Sequence, residues 1–510
     1  MRIEKERTAL SSRERSLAIS AALIALFLGA LDSLVMSAAM PSIVAELGGL
    51  ALYAWVYSAY FLARAVSLPF FGKLTDLYNN KSIFLFSISL FILASIAAGL
   101  AKSMTFLVIC RVFQGIGAGG IFALVYIVLS KIALPGERAR TLSLGSSIWG
   151  ISSVIGPTLG GFIVSYFSWR WIFLINIPIG MVSLIGIAFF LQLPHEESKR
   201  TAAIDFVGLF LFSISILGIL MIFTAGGREI AWISPAMLSL VGITCVCSIL
   251  FYCTERKAID PMIDFRFFSE RNFTLGNGAT FLASFSIFSL FAYAPLYIQG
   301  SLVLSPMQVG LAMVSLSLGW SFGSLYFGRV SKQGSERSWA IAGGGFLLTG
   351  SLLTIRFGLY TTMPECFTIF FIVGTGMGLV SLATLILVQN SANTAHLGVV
   401  TSFHQFGRSL GGTIGVAICG GFLTTGLFRS LDQASALLSN KILLSLQQSV
   451  ENLLLPGFQQ SIPLAAAKTL RAAVLSGVFS VFIAISISSL LCLLCCIFLK
   501  KTDPPENSSP

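Results

Sequence analysis

The sequence predicts an all-α polytopic membrane protein, and three observations carry that prediction. Of its 510 residues, 55% are hydrophobic and 10% are charged, and the mean hydropathy is +0.88. A soluble chain carries about 25% charged residues, so this one has too few to cover a water-facing surface. A spanning helix takes about 20 apolar residues, and the apolar content here furnishes on the order of a dozen or more. Stretches such as 82–101 and 474–499 are apolar or small on every side, without the alternation of a lipid-facing β-barrel. Soluble enzymes, disordered chains and disulfide scaffolds are excluded.

Fourteen spans are expected, taken in order along the chain. The first, 17–38, follows five basic residues and resembles a signal peptide. Its apolar run is too long for one and is interrupted near its end by Asp32, so it reads as an uncleaved helix. Spans two to six fall at 52–71, 82–101, 105–129, 141–166 and 171–193. Spans seven and eight, 206–225 and 236–253, are separated by short connections. Spans nine to fourteen fall at 274–298, 309–328, 338–357, 366–388, 399–424 and 472–499. The connection 425–471 is long for a helical bundle. Within it, ALLSNKILLSLQQSVENLLL (436–455) has helical periodicity and fits a helix lying along the outer membrane surface.

Lys and Arg decide the orientation. With the N-terminus inside, cytoplasmic segments hold 21 of the 32 basic residues and the opposite side holds eight, four of them in the long 425–471 loop. Both termini are therefore expected in the cytoplasm. The net charge of +11 follows from that asymmetry, and no nucleic-acid partner is expected.

A charge near the bilayer centre costs about 2.5–3.5 kcal/mol on insertion scales, so each one needs a reason. Asp32, Arg64, Arg111 and Arg408 lie well inside spans. Arg64 is about two turns from the cytoplasmic end of span two and reads equally as a snorkelling side chain. The others read as a structural ion pair or as the lining of a polar path. His404 and Arg408 are four residues apart and share a helix face, with helix packing the ordinary role for the histidine. The nine cysteines sit in or beside apolar runs. Cys492, Cys495 and Cys496 have no His or carboxylate nearby, and no metal site is expected. The dense polar stretch 254–272 reads as a linker, not a catalytic cluster. Without a GxxxxGK[ST] loop to cradle a nucleotide, the expected energy source is an ion gradient and no cofactor is called for.

Motifs add a resemblance. The stretch GKLTDLYNNKSIFL after span two resembles the loop signature of the major facilitator superfamily, matching at Gly72, Leu74, Asp76 and Lys81. Leu77, Asn79 and Asn80 depart from it, with Asn79 expected to take the left-handed turn that glycine would supply. LVICRVFQGIGAG in span four matches at Arg111, Gln114, Gly115 and Gly117. In span five, Gly156, Pro157, Gly160 and Gly161 resemble the antiporter motif, with Ser152 at its first glycine position. LDSLVMSAAMPSI in span one, SWRWIFLINIPIG, PLYIQGSLVLSPMQVG and the segment through Arg408 are similar to the fourteen-helix drug:proton antiporter branch.

The resemblance implies a major facilitator fold. Two six-helix bundles, 17–193 and 255–499, would flank a linker, 194–254, that carries two extra helices. Segment 1–16 and tail 500–510 would be cytoplasmic. GSLYFGRVSKQGSER from Gly323 looks like a degraded second copy of the loop signature, as internal duplication leaves. The resemblance further implies multidrug efflux across the plasma (inner) membrane by alternating access. Asp32 and Arg111 would line the cavity and couple to protons, with the span-five glycines governing the interface between halves. Arg64, His404 and Arg408 are further candidate cavity residues. The expected partners are an amphiphilic small molecule, protons and membrane lipids; no periplasmic adaptor is specified. With one deep acid against three deep arginines, neutral and anionic amphiphiles stand beside the usual cations. The alternative is a proton-coupled transporter of a specific metabolite, siderophore or lipid-like anion.

Overall fold

A computed structural model describes residues 11–48, 52–134, 136–192, 206–226, 230–258, 261, 264–304, 306–391, 396–433 and 464–501. Its regular structure is helical. In chain order the helices are α1 (Ser12–Leu47), α2 (Tyr53–Leu77), α3 (Asn80–Gly99), α4 (Met104–Ile132), α5 (Arg138–Tyr166), α6 (Trp171–Leu174) and α7 (Asn176–Phe190). There follow α8 (Phe206–Ala225), α9 (Pro235–Glu255), α10 (Arg271–Leu296), α11 (Pro306–Val330), α12 (Glu336–Thr354), α13 (Met363–Asn390), α14 (Leu397–Gln433) and α15 (Leu464–Ile497). Among the described residues, eleven spans are long and apolar enough to cross a membrane, and a shorter apolar run covers Val207–Phe223. In lipid every backbone group must bond within its own segment, which is why these apolar runs are helices.

Polar residues mark the helix starts. Ser103 accepts from Phe106 N–H at 3.3 Å and Ser234 from Met237 N–H at 3.2 Å. Asn79 departs from the left-handed turn expected of it. It sits at φ −62°, ψ 115° as the cap of α3, accepting from Lys81 N–H. A side-chain acceptor is what the start of a helix needs there, and a cap takes extended backbone.

The two halves repeat one packing scheme. In α1–α7, α1 packs on α5 and α7, α4 on α2 and α3, and α3 on α7; in α10–α15, α10 packs on α14 and α15, α13 on α11 and α12, and α12 on α15. The halves meet through α2 with α14 and α5 with α11, two contacts that the same correspondence exchanges. Helices α8 and α9 pair with each other, and α8 leans on α2 and α14.

Three elements differ from expectation. Helix α1 runs on to Leu47 because Ile43 is buried in a second apolar cluster with Trp169 and Phe173. Just beyond, Glu46 takes Arg170 Nη1 and Trp169 Nε1, each at 2.7 Å. The Arg170 hydrogen bond, then that from Trp169, holds this exposed carboxyl below its ordinary range. The sixth span is broken at Ile175 into α6 and α7. Helices α14 and α15 invade the expected 425–471 loop from both sides, because they stay packed together there: Leu427 is fully buried, and a Cβ on Gly426 would lie 3.0 Å from Gly477 Cα. The periodic segment 436–455 lies outside the described residues.

Candidate functional site

Asp32 and Arg111 come together. Arg111 Nη1 lies 2.7 Å from Asp32 Oδ2, and each side chain is 1% exposed. Residue 32 is near the middle of α1, and Arg111 is two turns into α4. Around them close Asn176 Nδ2, 3.0 Å from Asp32 Oδ1, and Gln114 Nε2, at 3.5 Å from the same oxygen. Gln114 Oε1 accepts from Arg111 at 3.1 Å, while its amide donates to Ser95 Oγ at 2.8 Å. Arg111 Nε donates to Val56 O at 3.2 Å, and its guanidinium lies 4.1 Å from the Tyr60 ring centroid. Among the described residues, every hydrogen-bond partner of the Asp32 carboxyl is a donor. Gly115 and Gly117 let the neighbours close in. A Cβ on Gly115 would collide with Tyr60 O of α2, and one on Gly117 would lie 2.8 Å from Phe91 N of α3.

Arg64 is enclosed by aromatic rings. It sits mid-way along α2 with 9% exposure, its guanidinium 4.8 Å from the Phe61 ring and 5.0 Å from Phe122. Packed rings leave it no route to snorkel along. Tyr60 is shared, lying 5.7 Å from Arg64 as well as beneath Arg111. Its hydroxyl bonds Ser33 Oγ at 3.2 Å. Phe122 leads on to Trp149 of α5, 5.4 Å between centroids, and Trp149 stacks on Trp320 of α11 at 6.5 Å. Over those two indoles, at 5.6 and 5.9 Å, and over Tyr126 at 5.9 Å, lies Arg408 of α14. A continuous line of charge and ring thus runs from Asp32 to the Trp149–Trp320 stack, where α5 of one half meets α11 of the other.

His404 turns elsewhere. Its Nε2 is 2.7 Å from Thr280 Oγ1 and 3.0 Å from Thr384 Oγ1, tying α10, α13 and α14 together within one half.

The loop signature joins the halves at the end where α2 stops and α14 starts. Asp76 Oδ1 and Oδ2 accept from Gly398 N–H at 2.7 Å and Val399 N–H at 2.9 Å, capping α14 where free N–H groups and the helix dipole favour an anion. Burial nevertheless pushes the Asp76 carboxyl up to about 7, outweighing those two bonds and nearby Lys131 and Lys73. Gly72 makes the approach possible: a Cβ there would collide with Ser402 and lie 2.8 Å from Gly398 O. Lys81 contributes its backbone N–H to the Asn79 cap. At the same end Arg138 of α5 donates to Gln389 at 2.6 Å and Asn390 at 3.1 Å, both on α13.

In α5, which also contains Pro157 and Gly160, Gly156 faces the same half. Its Cβ would lie 2.7 Å from Leu34 Cβ of α1, and Gly161 faces open space. The glycine that meets the other half is Gly150, against Ser321 of α11.

Comparison with known proteins agrees with this architecture. The profile described as Major Facilitator Superfamily matches residues 22–416. The chain belongs to the major facilitator superfamily. The multidrug transporter protein MdtP of Bacillus subtilis (strain 168) is 33% identical over 407 residues, covering 80% of this chain and 75% of that one. Multidrug resistance protein 3 of the same organism is 30% identical, covering 81% and 80%. The multidrug efflux pump SdrM of Staphylococcus aureus (strain N315) is 28% identical, covering 79% and 88%. The crystal structure of the human organic anion transporter MFSD10 (TETRAN) superposes with a TM-score of 0.61 at 13% identity, over 95% and 99% of the chains, a likeness of fold alone. This superfamily member is a transporter, not an enzyme.

Asp32, Arg111, Gln114, Arg64 and Arg408 stand out in the sequence; Asn176, Ser95, Tyr60 and the two indoles join them only in the structure. Serine in a lipid helix carries no signal. Trp149 and Trp320 did offer one: tryptophan favours membrane interfaces, and both lie near the middle of their spans.

Proposed function

We propose that this transporter exports amphiphilic small molecules across the plasma membrane in exchange for protons, by alternating access of two six-helix halves. Fourteen spans with both termini in the cytoplasm complete the proposal, and the proton gradient drives it. The relatives named as multidrug transporters support the export of varied compounds. The observation that carries the reading is the Asp32 nest, connected through Arg111, Tyr60, Arg64 and Phe122 to the Trp149–Trp320 stack between the halves.

A proton on Asp32 would cancel its charge, free Arg111 and turn one acceptor into a donor among donors. That rearrangement reaches Tyr60, on which both Arg111 and Arg64 lie. Substrate and proton would thereby compete through a shared aromatic contact without touching each other. One charge moving through 100 mV contributes about 2.3 kcal/mol. Swinging a population from 1:99 to 99:1 takes about 5.5 kcal/mol, so substrate binding must add to the proton's share. With both termini inside, the α2–α14 contact at Asp76 would close the cytoplasmic side.

The test is proton movement in proteoliposomes carrying an internal pH-sensitive dye and an imposed pH gradient. Amphiphiles should trigger proton flux in the wild type and fail to do so in Asp32→Asn. Full proton-driven transport by that variant would remove Asp32 from the mechanism. Flux triggered by one metabolite class alone would favour the specific-transporter alternative.

A further inference from the structure

Resting on the reading of the place where the halves meet as the substrate site, we propose that it selects anionic aromatic amphiphiles, the oxyanion lying between Arg64 and Arg408 and the apolar body against the Trp149–Trp320 stack.

Arg64 and Arg408 are each more than nine-tenths buried, and among the described residues neither forms an ion pair with a carboxylate. Arg64 Nη1, the Trp149 and Trp320 indole N–H groups and the Tyr126 hydroxyl are all buried without a hydrogen-bond partner. Three of these groups donate only, and the fourth can donate. Stranded donors are costly, and a buried cation without a counter-charge more so. Ring contacts offset only part of that cost. A ligand that supplies oxygen acceptors and a negative charge satisfies the whole set at once.

A cation finds nothing equivalent. Helices α4, α5, α10 and α11 contain no Asp or Glu. Asp76 of α2 is engaged on α14, and the acid of α14 itself, Asp432, lies at the far end of that helix. Asp32 is enclosed by Arg111, Asn176 and Gln114. The rings are continuous: Phe122 touches Arg64 and Trp149, and Trp149 and Trp320 both carry Arg408. One flat apolar body can therefore cover the wall that joins the two guanidinium groups. Planar guanidinium groups suit carboxylate, sulfonate or phosphate equally.

The test uses the purified full chain in nanodiscs, with protein-free discs correcting for partition. Three probes share a ring and tether: pyrenebutyrate, pyrenebutanol and pyrenebutyl-trimethylammonium. Quenching of tryptophan emission reads binding. The anion is expected to bind at least about tenfold tighter than the cation, and Arg64→Gln and Arg408→Gln should each remove about tenfold from the anion alone. Trp320→Phe keeps a ring but loses its N–H, and should weaken the anion a few-fold. A cation that binds as tightly as the anion overturns the proposal. So does binding of no probe, or equal loss of all three probes in the arginine variants, which would mark the arginines as structural braces. Anion-selective binding without proton flux in proteoliposomes would fail the antiport reading and leave this inference standing. Proton flux driven by the cationic probe would do the reverse.

Discussion

Two buried charge sites, separated by a single tyrosine ring, are solved in opposite ways. In the nest, Asp32 and Arg111 neutralise each other, and Asn176, Gln114, Ser95 and Val56 O take up bonds around them. Along the ring line, Arg64 and Arg408 lie on aromatic faces with donors left over. The nest joins helices of one half, so its partners travel together. The rings under Arg408 come from both halves, so under the proposed alternating access they would be regrouped as the halves move. Under the proposed transport cycle, the nest would hold its charge throughout and is satisfied internally, whereas the arginine site would receive a ligand and keeps part of its valence open. Asp76 is a third solution, a carboxylate bonded to backbone N–H groups across the halves.

Breaking the nest should have the largest effect. Asp32→Asn strands the Arg111 charge, and removing one partner of a buried pair costs about 3–5 kcal/mol. Thermal unfolding in detergent should show that loss, and Asp32→Asn with Arg111→Gln should recover much of it. Arg408→Gln should change stability by only about 2 kcal/mol, the scale of desolvated ring contacts. If Arg408→Gln costs as much as Asp32→Asn, the contrast between the two sites is wrong.

Asp76 gives the next effect. Asp76→Ala strands two N–H groups at about 1–3 kcal/mol each and should open the α2–α14 contact, read as a longer distance between spin labels on the flanking connections. With its carboxyl raised to about 7 when buried, the closed contact holds a proton that an exposed Asp76 would release. That proton's contribution to closure is therefore complete below the ordinary carboxyl value of 3.8, falls as pH rises from there, and is lost above about pH 7. Asp76→Asn should flatten this dependence, and a wild-type distance that does not change between pH 6 and 8 would refute it.

The smallest effect separates contact within a half from open space. Gly156→Ala pushes a methyl against Leu34 and should cost about 1–3 kcal/mol by overpacking, whereas Gly161→Ala should stay within about 0.5 kcal/mol. Equal melting temperatures for the two variants would contradict the packing of α1 on α5.

Much of this was legible residue by residue. A charge in lipid is conspicuous because so few are tolerated, so Asp32, Arg64, Arg111 and Arg408 announce themselves. Asn176 does not: it falls in the apolar run WIFLINIPIG and acquires meaning only where the break at Ile175 sets it beside Asp32. Arg64 was ambiguous for a different reason. Its distance from a span end permits snorkelling, and only the rings of Phe61 and Phe122 exclude it. His404 and Arg408 share a helix and a four-residue spacing, yet one faces two threonines of its own half and the other faces rings from both halves.

By itself the sequence determined that this is a helical membrane protein of the major facilitator type, because hydropathy, charge asymmetry and glycine spacing are local properties of the chain. Tertiary structure decided which deep charges are paired and which are left unpaired. That choice depends on partners 79 residues apart for Asp32 and Arg111, and on rings from helices of both halves for Arg408. No local pattern encodes it, since a buried arginine looks the same in the sequence whether it faces a carboxylate or a tryptophan.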